Sequence, residues 1–332
     1  MTFGAVPVSE ALGAVLAHSV RAGKLRMRKG AVLGAEDIAA LQGAGISEVV
    51  VARLEPSDID ENEAARRVAC ALNGAGVEAT QAFTGRVNLL AKGPGVARID
   101  AAAIDALNAC HDMITCATVA PLTRMRAGGM LATVKIISYG VPDAAVRAAE
   151  QAAGRGAVGL VPVALTTATL IVTQTGAEPD MDKGVAAVRG RLEALGMALE
   201  DVAVVPHDEQ AIAQALAAVR SDLALILTAS ATSDAHDVAP QALRAAGGEV
   251  TRFGMPVDPG NLLFLGHMGA KPVIGLPGCA RAPALNGADW VLERVACGLE
   301  VSSADIAGMG VGGLLKEIPQ RGQPRGGPRK TP

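Results

Sequence analysis

The sequence predicts an α/β protein whose C-terminal half forms a doubly wound, mainly parallel sheet. The prediction rests on three short apolar runs and on the helical segments that lie between and after them. The runs are 169–173 (TLIVT), 223–228 (LALILT) and 272–276 (PVIGL), and the helical segments are 183–195, 208–219, 237–246 and 285–299. Continuous apolar runs of this length are typical of strands buried on both faces, as in a parallel sheet covered by helices. We therefore place an α/β domain at residues 160–318.

Two smaller segments precede this domain, and a tail follows it. Residues 1–60 are predicted to form a small β-rich unit, in which strand-like runs surround one helix at 35–44. An acidic stretch that contains proline, 55–63, is typical of a hinge. Residues 61–155 form an α+β middle segment. The tail, 319–332, consists mainly of Gly, Pro and Arg, so we expect it to be disordered.

The composition is rich in aliphatic residues and poor in aromatic ones. Hydrophobic residues make up 50% of the 332 residues and aromatic residues 2%, and the formal net charge is −3. A base-stacking nucleic-acid binder needs aromatic platforms and a basic face, so we expect no nucleic-acid partner. The apolar stretches fall short of the roughly 20 residues that a membrane-spanning helix needs, so we expect no membrane partner.

The cysteines and the N-terminal residues favour a cytoplasmic location. The chain has five cysteines and no C-x-x-C pair, which argues against a disulfide framework or a cysteine zinc site. The N-terminal residues include Glu10 and no basic residue before the first apolar run, unlike a signal peptide. We therefore expect a protein of the reducing cytoplasm.

Each of the three predicted strands ends in a loop of small and polar residues. The loops are 174–178 (QTGAE), 229–237 (ASATSDAHD) and 277–281 (PGCAR). Ligands bind open α/β sheets outside the carboxyl ends of the strands, where the strand order reverses. Small residues let backbone N–H groups approach an anion, and a helix N-terminus favours phosphate. We therefore expect one ligand site at this edge of the sheet.

Asp237, at the end of the second loop, has two interpretations. It can cap the N-terminus of the following helix, as aspartate often does. Alternatively, its carboxylate is positioned for Mg²⁺ or for a substrate amine. His207 and His236 also follow strand ends, and Cys279 precedes a helix, where a thiolate would be stabilised. Surface histidines and small buried cysteines without a chemical role are the commoner outcome.

Two stretches ahead of the α/β domain are further candidates for anion binding. Basic residues cluster at 24–29 (KLRMRK), which is typical either of a solvated hairpin face or of an anion-attracting rim. The stretch 84–88 (TGRVN) is most simply a hairpin, but an arginine between small hydrogen-bonding residues also suits a phosphate. Cys110, His111 and Cys116 lie close in sequence, but without a partner cluster we favour no metal site there.

Several motifs follow one another along the α/β domain. They are Thr-Gly-x-Glu at 175–178, an aspartate before a helix at 205–208, a Thr-led loop at 228–237, Pro-Gly-Asn at 259–261 and Leu-Pro-Gly at 276–278. In this order and spacing they resemble the molybdopterin-binding domain shared by molybdopterin adenylyltransferases of the Mog and MoaB type and molybdenum-insertion enzymes of the MoeA type. Residues 29–51 are similar to the segment that precedes this domain in the MoeA type. The resemblance implies a Rossmann-like, three-layer fold.

The resemblance also implies a site for molybdopterin, as ligand or substrate, with Mg²⁺ as a further cofactor. It assigns catalytic roles to Asp237 and Glu178, with Asp237 also binding the metal. It places the following residues on the pterin and its terminal phosphate: Thr175, Gly176, Thr228, Ser230, Ser233, Asp234, Pro277, Gly278 and Arg281. The implied activity is molybdenum insertion or nucleotidyl transfer in molybdenum cofactor biosynthesis, and the implied assembly is a homo-oligomer.

The sequence departs from the family pattern in two places. The Thr-Ser-Gly-Gly that opens the family loop is TASA at 228–231, and the Pro-Gly-Lys-Pro of the MoeA type is PGNL at 259–262. Alanine and serine adopt positive φ less readily than glycine, and the second change removes a cation. These departures favour an alternative function, a non-catalytic carrier or sensor that delivers the cofactor to a cytidylyltransferase or a molybdoenzyme. A third hypothesis is another phosphorylated ligand on the same fold.

Overall fold

The structure of the chain, a computed structural model, describes residues 1–23, 25–176 and 181–315. The chain divides into two units: residues 1–93 with 97–161, and residues 94–96 with the described residues from 162 onward. Glu178 and the predicted disordered tail, 319–332, lie outside the described residues. The finer division of the first unit at residue 60 stays a prediction.

The chain up to residue 162 contains short strands and four helices among its described residues. The strands are β1 Thr2–Pro7, β2 Val15–Leu16, β3 Val20–Ala22, β4 Leu25–Met27, β5 Glu48–Arg53, β6 Asp58–Asp60, β7 Val77–Ala79, β8 Arg86–Ala91, β9 Gly95–Ile99, β10 Ile114–Thr118, β11 Arg124–Met125, β12 Met130–Ile136, β13 Gly140–Pro142 and β14 Val158–Pro162. The helices are α1 Ala35–Gly43, α2 Glu61–Leu72, α3 Ala101–Asn108 and α4 Asp143–Ala153.

The largest sheet of the first unit is antiparallel, with strand order β10-β12-β8-β7. Helix α2 packs on it through a buried stripe that includes Ala65, Val68 and Leu72. Asp60 caps this helix, because its side chain accepts hydrogen bonds from the backbone N–H groups of its second and third residues. A separate hydrophobic cluster around Leu16 and Leu41 supports the N-terminal strands.

The second unit contains a six-stranded sheet and five helices among its described residues. The strands are β15 Thr167–Gln174, β16 Ala198–Pro206, β17 Leu223–Leu227, β18 Glu249–Phe253, β19 Phe264–Met268 and β20 Lys271–Leu276. The helices are α5 Met181–Glu193, α6 Glu209–Ala218, α7 Val238–Ala245, α8 Gly287–Ala296 and α9 Ser303–Ala307.

The strand order of this sheet is β16-β15-β17-β20-β19-β18. The first four strands are parallel to one another. Toward the other edge, β19 pairs antiparallel with β20, and β18 pairs antiparallel with β19. The predicted α/β fold with a mainly parallel sheet is therefore confirmed. Strand β16, which follows β15 in the chain, lies on one side of β15, and β17 lies on the other side. The strand order therefore reverses between β15 and β17.

Alternate residues of the central strands face different helices, which is what a doubly wound sheet requires. Leu170 packs in a cluster with α5 and α8, whereas Ile171 packs in a cluster with α6 and α7. All five residues of β17 are buried. Burial on both faces explains why the three predicted strands are continuous apolar runs.

Two details of the predicted elements are wrong. The last long helix, predicted to begin at residue 285, begins at Gly287, because Asn286 caps α8, and Leu285 outside it is 52% exposed. Strand β16 and the β18–β19 hairpin were not predicted. These strands lie toward the two edges of the sheet, and among the residues of β16 only Leu199 is buried, whereas the others are exposed or half-buried. Within the described residues, no helix has the length and apolar character to cross a membrane.

Candidate functional site

The carboxyl ends of β15, β17 and β20 lie side by side at one edge of the second unit's sheet. This follows from the parallel pairing of β17 with both β15 and β20. The three predicted loops therefore start from neighbouring strands. The edge includes the point where the strand order reverses, which is where open α/β sheets bind ligands.

A hydrogen-bonded chain connects the ends of β15, β16 and β17. The buried Thr173 hydroxyl accepts a hydrogen bond from the Ala229 N–H at 2.8 Å and lies 2.9 Å from His207 Nδ1. The other ring nitrogen of His207 lies 3.0 Å from Ser230 Oγ. His207, which the sequence offered only as a minor candidate, thus holds the β17 loop against the end of β15.

The Thr173 hydroxyl accepts from the Ala229 N–H and can either donate to His207 Nδ1 or accept a second bond from it, because a hydroxyl oxygen has two lone pairs. The directions of the bonds from His207 to Thr173 and to Ser230 therefore depend on the tautomer of His207. Ser230 is exposed, so its hydroxyl is accessible at the edge of the sheet.

Thr228 lies at the start of the loop that follows β17. It is 7% exposed, and its hydroxyl donates to the Ser230 carbonyl at 2.6 Å. Its side chain therefore closes the start of the loop and positions Ser230, and its contact with a ligand stays a prediction.

Asp237 is the N-cap of α7, as the first of its two interpretations expected. One carboxylate oxygen accepts from the Val238 N–H at 2.7 Å, and the other accepts from the Ser233 N–H at 3.0 Å. Asp234 makes a similar local bond, accepting from the His236 N–H at 2.8 Å. These side chains fold the loop on itself, which is the ordinary behaviour of aspartate before a helix.

The described residues around Asp237 do not fit a Mg²⁺ ion. Both of its oxygens already accept backbone N–H groups. In the part of the chain that the structure describes, no group of three or more His, Cys, Asp or Glu side chains is arranged to hold a metal. Mg²⁺ binds through several oxygen ligands in near-octahedral geometry, and the described residues around Asp237 do not supply such a set.

Arg281 brings a cation to the same edge. It lies in the short 3-10 helix Gly278–Arg281 that follows β20, and its Nη2 donates to the Thr228 carbonyl at 2.7 Å. Its guanidinium passes over α5 at Gly184, where an added Cβ would lie 3.4 Å from Nη1. Arg281 therefore joins the loop after β20 to the end of β17.

Gly176 and Gly278 border open space. A Cβ added at either position would meet no atom within 4 Å, and neither backbone has a positive φ. Pro277, by contrast, is buried below the loop. Thr175 is exposed at the end of β15. The contacts of Thr175, Gly176, Ser233, Asp234, Pro277 and Gly278 with a ligand stay predictions.

Sequence reasoning missed Arg191, which supports the loop after β20 from below. Its side chain is 7% exposed and pairs with Asp289 at 2.6 Å. It also donates to the backbone carbonyls of three loop residues, at 2.7–3.1 Å: Ala280, Ala282 and Ala284. The available signal was an arginine among the buried residues of α5, beside Val188 and Leu192. A buried charge requires partners.

Comparisons with known proteins agree with this architecture. A family model described as a probable molybdopterin binding domain matches residues 165–295. A second model, described only as a domain of unknown function, matches residues 5–53. A search of curated proteins gives no significant match.

Three solved structures illustrate the similarity, each at low identity. Molybdenum cofactor biosynthesis protein B is 16% identical, with 41% of this chain and 96% of that chain covered and a TM-score of 0.31. The molybdopterin biosynthesis MoeA protein from Pyrococcus horikosii is 13% identical, with 90% and 76% covered and a TM-score of 0.32. A molybdenum cofactor biosynthesis protein from Pyrococcus furiosus is 14% identical, with 92% and 65% covered and a TM-score of 0.24.

The family model spans β15 to β20 and most of α8, and therefore contains all three strand-end loops. Over residues 165–295, the chain is therefore similar to the family described as a probable molybdopterin binding domain.

Proposed function

We propose that the second unit binds molybdopterin or its nucleotide adduct at the edge formed by β15, β17 and β20, as a step of molybdenum cofactor biosynthesis. The observation that carries the proposal is the position of the three loops. They follow neighbouring parallel strands where the strand order reverses, inside the stretch that matches the molybdopterin-binding family. Such crevices are the usual ligand sites of open α/β sheets.

The donors at this edge suit the phosphate of the ligand. Ser230 presents an exposed hydroxyl, and Arg281 presents a guanidinium that uses one of its N–H groups on the Thr228 carbonyl. Arginine binds phosphate through charge-assisted hydrogen bonds. The N-terminus of α7 is a poorer candidate, because Asp237 already occupies it with a carboxylate.

Two activities are compatible with binding, and the geometry favours the simpler one. Molybdenum insertion or nucleotidyl transfer would use Asp237 and Glu178 as acids, and Asp237 already serves its own loop by accepting two backbone N–H groups. A carrier or sensor requires no acid. We therefore favour a binding protein that passes the cofactor to a cytidylyltransferase or a molybdoenzyme, and we keep transfer as the second candidate. That partner and a homo-oligomeric assembly remain part of the proposal.

Titration of the purified chain with molybdopterin, followed by fluorescence or calorimetry, tests the proposal. Arg281→Gln is expected to weaken binding by about tenfold or more, because it removes a charge-assisted hydrogen bond. Arg189→Gln, a change at an exposed arginine of α5, is the control and should leave binding unchanged. An unmodified chain that does not bind molybdopterin would overturn the proposal.

A turnover assay separates the two activities. With MgATP or MgCTP and molybdopterin, a nucleotidyltransferase releases pyrophosphate, and an insertion enzyme acting on the adduct releases nucleotide monophosphate. A carrier binds the cofactor and releases neither. Release that depends on the enzyme concentration and is lost in Asp237→Asn would favour transfer over the carrier.

A further inference from the structure

We propose that the first unit carries a second, separate anion site, which binds the phosphate of a small phosphate ester with a planar ring through Lys135, Arg86 and Lys29. The site lies around the half-buried pair of Glu61 and Lys135. It combines the two stretches that the sequence marked as anion candidates, the basic run that ends at Lys29 and the stretch 84–88. The site of the second unit uses neither stretch.

The centre of the site is a loose ion pair between α2 and β12. Glu61 begins α2, and its backbone N–H donates to the Tyr139 carbonyl at 3.0 Å. Lys135 Nζ lies 3.9 Å from Glu61 Oε2, and the two side chains are 31% and 19% exposed, respectively. The closer partner of Lys135 is the Thr84 carbonyl, to which it donates. The lysine is thus only partly neutralised by the carboxylate.

The loop before β8 lies close to this pair and has a strained conformation. The Gly85 N–H donates to Asn62 Oδ1 at 2.9 Å, and the Gly85 carbonyl accepts from the Ile136 N–H at 2.8 Å. A Cβ on Gly85 would lie 2.7 Å from Glu61 Oε2 and 3.0 Å from Lys135 Nζ. Thr84 has a φ of 47°, in the region that residues other than glycine rarely adopt. Such strain is commonly retained at ligand sites.

Cations outnumber the acids that face the pair. Burial lowers the pKa of Lys135, and the charges of Arg86 and Lys29 lower it further, although Glu61 opposes this. Burial raises the pKa of Glu61, although Lys135 and Lys29 oppose this. The other nearby acid, Asp60, is occupied as the N-cap of α2. An anion placed among the three cations would balance the remaining positive charge.

The exposed groups at the mouth of the site indicate the type of anion. Arg86 is exposed, and its hydrogen bond to Thr133 Oγ1, at 3.3 Å, uses one N–H of Nη1. Phe83 is 76% exposed in a chain with few aromatic residues, and it pairs with Arg86 through reciprocal backbone hydrogen bonds. A guanidinium suits a phosphate, and an exposed aromatic ring suits a planar group. A nucleoside phosphate combines both features.

A cavity elsewhere in the same unit is a weaker candidate. It has a volume of about 780 Å³ and is lined by Arg66, Arg67, Arg98 and Arg155. Two of these arginines pair with nearby carboxylates, and a third donates to a backbone carbonyl. The cavity also includes the residues that end α2 and α4. Helix C-termini carry partial negative charge, which the arginines offset.

Calorimetric titration of the full chain with AMP, and with inorganic phosphate in parallel, tests the inference. We expect AMP to bind, and Arg86→Gln to weaken its binding by about tenfold or more through the loss of a charged donor. Lys135→Met should have at least the same effect, and Phe83→Ala should reduce the preference for AMP over phosphate. Arg155→Gln, a change in the other cavity, is the matched control.

Three outcomes would overturn the inference. The unmodified chain does not bind AMP, Arg86→Gln leaves AMP binding unchanged, or Arg155→Gln weakens AMP binding as much as Arg86→Gln does. Thermal unfolding of every variant shows whether it is folded, and Arg86→Gln keeps the test valid if Lys135→Met fails to fold, because Arg86 is exposed. The part of molybdopterin binding that Arg281→Gln weakens should be unchanged in Arg86→Gln and Lys135→Met, so that failure here is distinct from failure of the proposed function.

Discussion

The two candidate sites differ in how completely their polar groups are satisfied before any ligand arrives. In the second unit, the loop that starts at Thr228 is held by its own hydrogen bonds, and Asp237 uses both oxygens within the loop. In the first unit, Lys135 and Glu61 lie 3.9 Å apart beside two further cations. The arrangement in the second unit is typical of a preformed binding surface. The arrangement in the first unit leaves positive charge for a ligand to neutralise.

The largest expected effect concerns the support beneath the site of the second unit. Arg191→Met leaves Asp289 buried without its cation and deprives three loop carbonyls of their donor. Breaking a buried pair in this way costs about 3–5 kcal/mol. We expect a loss of that size in the free energy of unfolding, measured in urea. Arg189→Met, at an exposed position of the same helix, should change it little. A loss below about 1 kcal/mol for Arg191→Met would show that the pair does not hold the loop.

Glycine substitutions compare the two sites directly. Gly85→Ala in the first unit forces a Cβ to within 2.7 Å of Glu61 Oε2 at a φ of 67°, and we expect it to destabilise by about 1–3 kcal/mol. Gly278→Ala in the second unit meets no atom within 4 Å at an ordinary φ. It should be neutral, or stabilising by about 0.5 kcal/mol through the unfolded state. Equal losses in the two variants would contradict the difference in crowding that the structure shows.

Asp237 tests whether the second site is a binding surface or a catalytic one. Asp237→Ala should cost about 0.5–2 kcal/mol of stability, because it removes the N-cap of α7. Asparagine caps helices as well as aspartate does, but its amide nitrogen cannot accept the second backbone N–H, so Asp237→Asn should lose less stability than Asp237→Ala and should retain molybdopterin affinity. A stable Asp237→Asn protein whose affinity falls tenfold would show that the negative charge itself contacts the ligand or its metal.

The smallest expected effect is a pH dependence in the first unit. Because the pKa of Glu61 is raised above its ordinary value of 4.5, the folded chain binds its proton more tightly than the unfolded chain. The contribution of Glu61 to the free energy of unfolding should therefore be largest below pH 4.5, and it should decrease as the pH rises through the pKa of Glu61 in the folded chain. Glu61→Gln should remove this decrease. If the difference in free energy of unfolding between the unmodified chain and Glu61→Gln does not vary between pH 4 and about 7, the raised pKa of Glu61 is contradicted.

The sequence predicted the parts of the fold that depend on local pattern. The apolar runs of β15, β17 and β20 are recognisable because both faces of these strands are buried, and the loops follow from where the runs end. Strand β16 was missed because one of its sides is exposed, at the edge of the sheet. The antiparallel β19 contains Gly266 and His267, which interrupt its apolar pattern.

The parts that were missed depend on residues far apart in the chain. Arg191 matters because Asp289 and the loop at 280–284 reach it in the folded structure. The pair of Glu61 and Lys135 likewise joins the start of α2 to β12, and six elements separate the two along the chain. No local pattern encodes such partners. His207 was detectable as a histidine at a strand end, but its bridge from Thr173 to Ser230 was not.

The bridge of Thr173, His207 and Ser230 has a consequence for the rate of binding. Since these bonds and the Asp237 cap already hold the loop at 228–237, a ligand that docks there does not have to order it. Little conformational entropy is then lost on association, and the affinity reflects the contacts themselves. The association rate should also lie in the ordinary range of about 10⁵–10⁷ M⁻¹s⁻¹, without a slow step for loop closure. Differences in affinity among variants of this loop would then appear mainly as differences in how long the ligand stays.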